Sequence, residues 1–207
     1  MRDKISILHT NDLHSHLERW PKIRRYLLTR KRQLRRDGYS VLTFDIGDFL
    51  DRQHPLTEAT MGQANVALMN EVGYDAVTIG NNEGLGLAHD DLNHLYDQAN
   101  FPVVLGNITD KTTGNIPDWA VAYRIITTPQ GTRIGVLGFT APFILTLPLL
   151  NWMPEEIDSA LQRILPELAG KTDINILLSH LGLPTDRYLA EHYPELHVII
   201  GAHTHHL

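Results

Sequence analysis

Leu8-His9-Thr10-Asn11-Asp12-Leu13-His14 decides how the rest of the chain is read. The β-branched Ile5 and Ile7 lead into it as a short buried strand, and the Asn and Asp at its end favour a turn. The strand thereby delivers Asp12 and His14 at its C-terminal end. In a locally extended segment alternate side chains share one side, so this carboxylate and imidazole are expected to face one metal ion. The same design recurs down the chain: residues 41–46 run into Gly47-Asp48, 76–79 into Gly80-Asn81-Asn82-Glu83-Gly84, 174–178 into Ser179-His180, and 198–200 into Gly201-Ala202-His203-Thr204-His205.

Around these strands the spacing predicts helices. One runs over residues 20–37, with Pro21 in its first turn, Ile23, Tyr26, Leu27 and Leu34 near one face, and Gly38 as its stop. Others are expected over 62–72, 88–99, 155–168 (from Ile157, Leu161, Ile164 and Leu168) and 184–192, with a further strand at 103–105. Residues 121–127 and 133–138, joined across Pro129-Gln130-Gly131, read as a hairpin, and 111–117 as a polar turn. The apolar stretch 139–153, with Pro142 and Pro148, has no clear period and reads equally as a lid or a buried loop. Strands alternating with helices imply an α/β fold with largely parallel pairing and one antiparallel element.

With 207 residues, 43% hydrophobic and 20% charged, the chain suits one α/β domain with a substantial core. A net charge of −6 argues against general attraction to nucleic acid or an anionic membrane. Nine of the 18 basic residues fall between Arg19 and Arg36. They read as a solvated helix face in preference to a phosphate or RNA patch. The absence of cysteine excludes disulfides, thiolate metal sites and cysteine catalysis, so any metal must be held by nitrogen and oxygen. No apolar run is long enough to cross a bilayer, and Met1-Arg2-Asp3-Lys4 passes straight into the first strand, so a cytoplasmic protein is expected.

In α/β sheets ligands gather beyond the carboxyl ends of the strands. Five strand ends here present Asp12 with His14, Asp48, Asn81, His180, and His203 with His205. Singly, each has a plainer explanation: Asp12 as a cap, Asn81 as a turn residue, His180 as a core histidine. Their coincidence at five strand ends favours ligation. Seven donors exceed the needs of one ion but give four ligands to each of two ions that share a carboxylate. Paired ions about 3.5–4 Å apart suit phosphoester hydrolysis. Asp45 and Asp51, beside Asp48, read as hydrogen-bond acceptors or capping groups.

The order Asp12-x-His14, Gly47-Asp48, Gly80-Asn81-x-Glu83, His180, Gly201-x-His203-x-His205 resembles the calcineurin-like metallophosphoesterase superfamily. The opening His9-Thr10-Asn11-Asp12-x-His14 and the closing Gly201-Ala202-His203-Thr204-His205 resemble its 5′-nucleotidase and 2′,3′-cyclic phosphodiesterase branch, in its N-terminal catalytic domain. The resemblance implies a four-layer α/β/β/α sandwich with mixed sheets. It implies one metal on Asp12, His14, Asp48 and His205 and another on Asp48, Asn81, His180 and His203, with Asp48 bridging. It also implies a metal-bridging hydroxide that attacks phosphorus in line. Mn, Zn, Fe, Co and Mg are all compatible with such ligands, and the histidines disfavour Mg alone.

Two features depart from the family pattern. Its usual Gly-Asn-His-Glu places a histidine near the phosphate, where this chain has Asn82. An amide there can donate a hydrogen bond to a phosphoryl oxygen but cannot serve as a proton donor. The expectation is a phosphoesterase with weakened general-acid catalysis, or with His16 or His89 as the donor; the alternative is a pseudoenzyme that binds metal and nucleotide. Second, the sequence stops two residues after His205. Residues 1–207 are therefore expected to be a catalytic domain truncated at its C-terminal end, and the branch's nucleotide-stacking C-terminal domain has no counterpart in them.

Overall fold

A computed structural model describes residues 3–206. Its elements are β1 (Ile5–Thr10), α1 (Trp20–Arg36), β2 (Ser40–Asp45), α2 (Pro55–Thr60), α3 (Gln63–Met69), β3 (Ala76–Val77), α4 (Asn81–Gly84), α5 (His89–Leu95), β4 (Val103–Val104), β5 (Ile108–Asp110), β6 (Ala120–Val121), β7 (Tyr123–Thr127), β8 (Arg133–Thr140), β9 (Trp152–Pro154), α6 (Ile157–Leu168), β10 (Ile174–His180), α7 (Leu183–His192) and β11 (Val198–Gly201). A 3-10 turn at Leu147–Leu150 precedes β9.

Two sheets lie face to face. One has the order β1-β2-β3-β4-β6, with every pairing parallel. The other has the order β11-β10-β8-β7, parallel except for the antiparallel β7–β8 pair. Between them Phe44, Ile46, Ala76 and Val104 pack against Ile134, Val136, Ile176 and Leu178. Leu27 of α1, Val66 and Met69 of α3, and Leu92 and Leu95 of α5 cover the outer face of the first sheet. Ala160, Leu161, Ile164 and Leu168 of α6, with Leu189 of α7, cover the second. The result is the expected α/β/β/α sandwich with one mixed sheet. Among the described residues no helix is long and apolar enough to cross a membrane.

α1 forms where its pattern predicts, with Pro21 in its first turn and Leu27 and Leu34 buried. Its basic face has one exception to solvation. Lys31 is buried, and its ammonium donates to the carbonyls of Val72 and Gly73 at 3.1 and 2.7 Å. These carbonyls lie in the turn between α3 and β3.

Several expectations are corrected. β1 is half-buried, not buried, because it is the edge of its sheet and has a strand on one side alone. The hairpin strand begins at Tyr123; Ala120–Val121 instead pairs with β4, so the chain passes from one sheet to the other at Ala122. The helix expected over 62–72 shortens to α3, and α2 stands before it, separated by left-handed Met61 and Gly62. The stretch 139–153 shows no period because it mixes the end of β8, the 3-10 turn and β9, which pairs antiparallel with β5. Leu147 and Trp152 are buried there, while Ile144, Leu145 and Leu149 face solvent.

Candidate metal centre

Asp12 and His14 do face one point, but not by strand alternation. β1 ends at Thr10, and Asp12, His14 and Ser15 all lie in the left-handed region, with φ of 48°, 47° and 52°. Their N–H groups donate to the carbonyls of Gly47, Asp48 and Phe49 at 3.0, 2.9 and 3.0 Å, so one loop is zipped onto the next. Those tertiary bonds, and not the pleat, aim the two side chains. Asn81 likewise is not at a strand end, because β3 stops at Val77 and Asn81 opens α4. Asp12, His14, Asp48, His203 and His205 are five of the eight described non-glycine residues with positive φ. Such conformations cost about 1–3 kcal/mol each and persist where the surroundings dictate them.

Two glycines make the close loop approach possible. Gly47 has φ +92°, and a Cβ there would stand 2.6 Å from the carbonyl carbon of Ile79. A Cβ on Gly80 would run into the Asp48 carboxylate. Glu83, which residue type alone does not single out, binds the same loops together. Its carboxylate accepts from Gly80 N at 2.8 Å, Asp48 N at 3.0 Å and Leu50 N at 3.3 Å. The capping-box spacing from Gly80 to Glu83 is the signal in the sequence that points to this role.

Six of the seven expected ligands come together, in two groups, and Asn81 lies at the start of α4 next to Asn82, whose N–H donates to Asp48. In the first, Asp12 Oδ1 lies 3.3 Å from His205 Nε2 and 3.8 Å from His14 Nε2, and the two imidazole nitrogens are 3.2 Å apart. In the second, Asp48, His180 and His203 offer ligand atoms within 4.8 Å of one another. Asp48 Oδ2 sits between the groups, 3.3 Å from His180 Nε2 and 3.7 Å from His14 Nε2. The His203 N–H donates to Asp12 at 3.2 Å, which ties the groups together.

The donor set fits two cations. His180 is fully buried, and its Nδ1 donates to Ile46 O at 2.7 Å, so the Nε2 lone pair is left for the site. Among the described residues, His180 Nε2 and Asn81 Oδ1 are buried without a hydrogen-bond partner. Unpartnered buried polar atoms are costly, and a cation beside Asp48 would relieve His180 Nε2. The charged groups of the centre also act on one another. Burial opposes charge on His180, but the neighbouring Asp48 carboxylate outweighs it and raises the imidazole pKa. Burial likewise would raise Asp48, yet its contacts with His180 and with the Asn82 N–H hold it below the usual carboxylate range.

The remaining predicted residues sit around this centre. Asn82 Nδ2 lies 2.7 Å from His14 Nδ1. His16 pairs with Glu18 at 3.3 Å and His89 with Asp110 at 3.0 Å, and neither belongs to the two ligand groups. Asp51 accepts from Gln53 N, as a capping group does, and Asp45 accepts from Thr10 Oγ1 and Gly47 N.

A two-sheet α/β sandwich with paired nitrogen and oxygen ligand groups at its loop edge defines a dinuclear metalloprotein. The family profile described as Calcineurin-like phosphoesterase matches residues 5–207, and the chain belongs to that family. The uncharacterized metallophosphoesterase YunD of Bacillus subtilis is 46% identical over 207 residues, which are 100% of this chain and 45% of that protein. A 5′-nucleotidase of Bos taurus is 30% identical over 225 residues, 97% of this chain and 38% of its own length. Among solved structures, a 5′-nucleotidase precursor from Thermus thermophilus superposes with a TM-score of 0.82 at 26% identity, over 97% of this chain and 42% of its own. The NAD nucleotidase NadN of Haemophilus influenzae shares the fold, with a TM-score of 0.84 at 22% identity over 98% of this chain and 39% of its own. The chain thus spans less than half the length of these relatives. Calcineurin-like phosphoesterases use two divalent ions, and the two ligand groups match that number.

Proposed function

We propose that the chain hydrolyses phosphate esters with two divalent ions, one held by Asp12, His14, Asp48 and His205 and the other by Asp48, Asn81, His180 and His203. The substrates proposed are nucleotide-type monoesters or cyclic diesters, in keeping with relatives named 5′-nucleotidase. One observation carries the reading: two three-residue ligand groups meet around Asp48, and in the second His180 Nε2 is buried and unpartnered. When bound, paired divalent ions lower the pKa of water and offset charge on the phosphoryl oxygens.

The protein's own groups set the rest. Asp48 is the shared carboxylate, Ile46 O fixes the His180 tautomer, and Glu83 holds the loops that carry Asp48 and Asn81. Asn82 has no proton to give a departing alkoxide. Absence of a general acid typically lowers rates by about 10²–10⁴, so esters with acidic leaving groups are favoured.

The test is hydrolysis of p-nitrophenyl phosphate, bis-p-nitrophenyl phosphate and 5′-AMP by Mn-loaded protein, with Asp48→Asn as control. The nitrophenyl esters are expected to turn over faster than 5′-AMP, and Asp48→Asn is expected to lose all turnover. Because Asn82 replaces the family's histidine, the second reading is a pseudoenzyme. It predicts Mn-dependent nucleotide binding with no product above the Asp48→Asn control.

A further inference from the structure

Asn82 stands at the start of α4, where its side chain is already engaged by protein atoms. Nδ2 approaches His14 Nδ1 at 2.7 Å and donates to Leu50 O at 3.1 Å. Oδ1 accepts from Asn81 Nδ2 at 3.3 Å, and the backbone N–H donates to Asp48 Oδ1 at 2.7 Å. The amide therefore has both hydrogens and its oxygen committed within the protein, with none turned toward a substrate.

We propose that Asn82 is a positioning residue that acts through His14: its amide clamps the imidazole by Nδ1 and so fixes the half of the metal centre formed by Asp12, His14 and His205. The proposal rests on the metal-hydrolase reading above and concerns how one of its two cation positions is built.

Ligation by His14 Nε2 needs that lone pair free, which places the ring proton on Nδ1. A group beside Nδ1 must then accept a hydrogen bond. His14 Nε2 faces the ligand group, 3.2 Å from His205 Nε2 and 3.7 Å from Asp48 Oδ2, which leaves Nδ1 as the nitrogen turned to Asn82. A carboxamide can meet Nδ1 with either end, since half a turn about Cβ–Cγ exchanges Nδ2 for Oδ1, the acceptor that Nδ1–H needs. The other polar side chain near Nδ1 is that of Asp51, whose Oδ2 is 3.9 Å away and outside hydrogen-bond reach. Asn82 is thus the hydrogen-bonding side chain for Nδ1 among the described residues. Partners of this kind typically change metal affinity by about 10–100-fold.

Calorimetric titration of ion-free protein with Mn, on wild type, Asn82→Leu and Asn82→Ala, tests the proposal. Wild type is expected to bind two ions. Both variants are expected to bind one ion as wild type does and the other about 10–100-fold more weakly. At saturating Mn, their KM for bis-p-nitrophenyl phosphate is expected to stay within about twofold of wild type, since uniform substrate binding is untouched. Two unchanged Mn affinities would overturn the proposal, and unchanged affinities with a raised KM would place Asn82 on the substrate instead. Should the leucine not pack, as judged by melting in chelator, the alanine variant decides the question. Wild-type protein that binds no pair of ions would overturn the metal-hydrolase reading itself.

Discussion

Asp45 lies fully buried beneath the loop that carries Asp48, and burial pushes its carboxyl up to about 8. The bonds from Thr10 and Gly47 pull the other way without cancelling the effect, and the nearby Glu83 adds to it. The unfolded chain releases this proton near the ordinary value of 3.8. Between the two values the folded state holds the extra proton, so stability from this group is present at low pH and is lost as pH rises toward about 8. Asp45→Asn removes that slope. In chelator, the Tm difference of Asp45→Asn minus wild type is expected to rise steadily from about pH 5 to about pH 8. A pH-independent difference would show that Asp45 is ionised throughout. At this scale the sequence made the donors legible, because Asp12, His14, Asp48, His180, His203 and His205 announce themselves by residue type beside apolar runs. Their conformations were not legible, since left-handed φ at Asp12 and His14 depends on carbonyls of Gly47 and Asp48 more than thirty positions away.

Elements with their own periodic apolar stripe were foreseen, and elements defined by their neighbours were not. α1 and α6 carry Leu27 and Leu34, or Leu161, Ile164 and Leu168, at helical spacing and end within two residues of where the pattern stops. β3 and β4 stand within the strands expected at 76–79 and 103–105 but keep two residues each, and β6, also two residues, was hidden in the expected hairpin strand because only its pairing with β4 sets it apart. α4 is similar: one turn long, it is held by Glu83 and not by helix propensity. Glu83→Ala leaves the N–H groups of Gly80, Asp48 and Leu50 buried without their acceptor. At about 1 kcal/mol or more for each, and about 2–4 °C per kcal/mol at this size, Tm is expected to fall by roughly 6–12 °C. Differential scanning calorimetry on ion-free protein checks this, and a shift under about 2 °C would mean that water replaces the carboxylate.

Across the whole molecule the proposed ligands divide between the sheets. Asp12, His14, Asp48 and Asn81 follow strands of the five-stranded sheet, whereas His180, His203 and His205 belong to β10 or follow β11 of the other. Cations held between them would add cross-links to two layers that meet through apolar packing and a few hydrogen bonds such as His180 Nδ1 to Ile46 O. A ligand at about 100 times its Kd stabilises by about 2.7 kcal/mol, so two ions at that level are expected to raise Tm by on the order of 10 °C. Melting with Mn and then with excess chelator measures this, and equal melting temperatures would mean that no ion bridges the layers. The largely parallel α/β pairing was legible, because strand–helix alternation dictates crossovers, whereas the two-sheet sandwich was legible only through the resemblance of the motifs to the metallophosphoesterases. The passage between sheets at Ala122 was hidden, since strand identity and sheet membership are separate facts.

His14 and His205 are 191 positions apart, yet their rings touch. On the ribosome, the amino-terminal ligands emerge long before the imidazoles that must join them. With the proposed ligand sets, the nascent chain would lack His203 and His205 until late, so uptake of both ions is expected to follow translation and docking of the β11 loop onto Asp12.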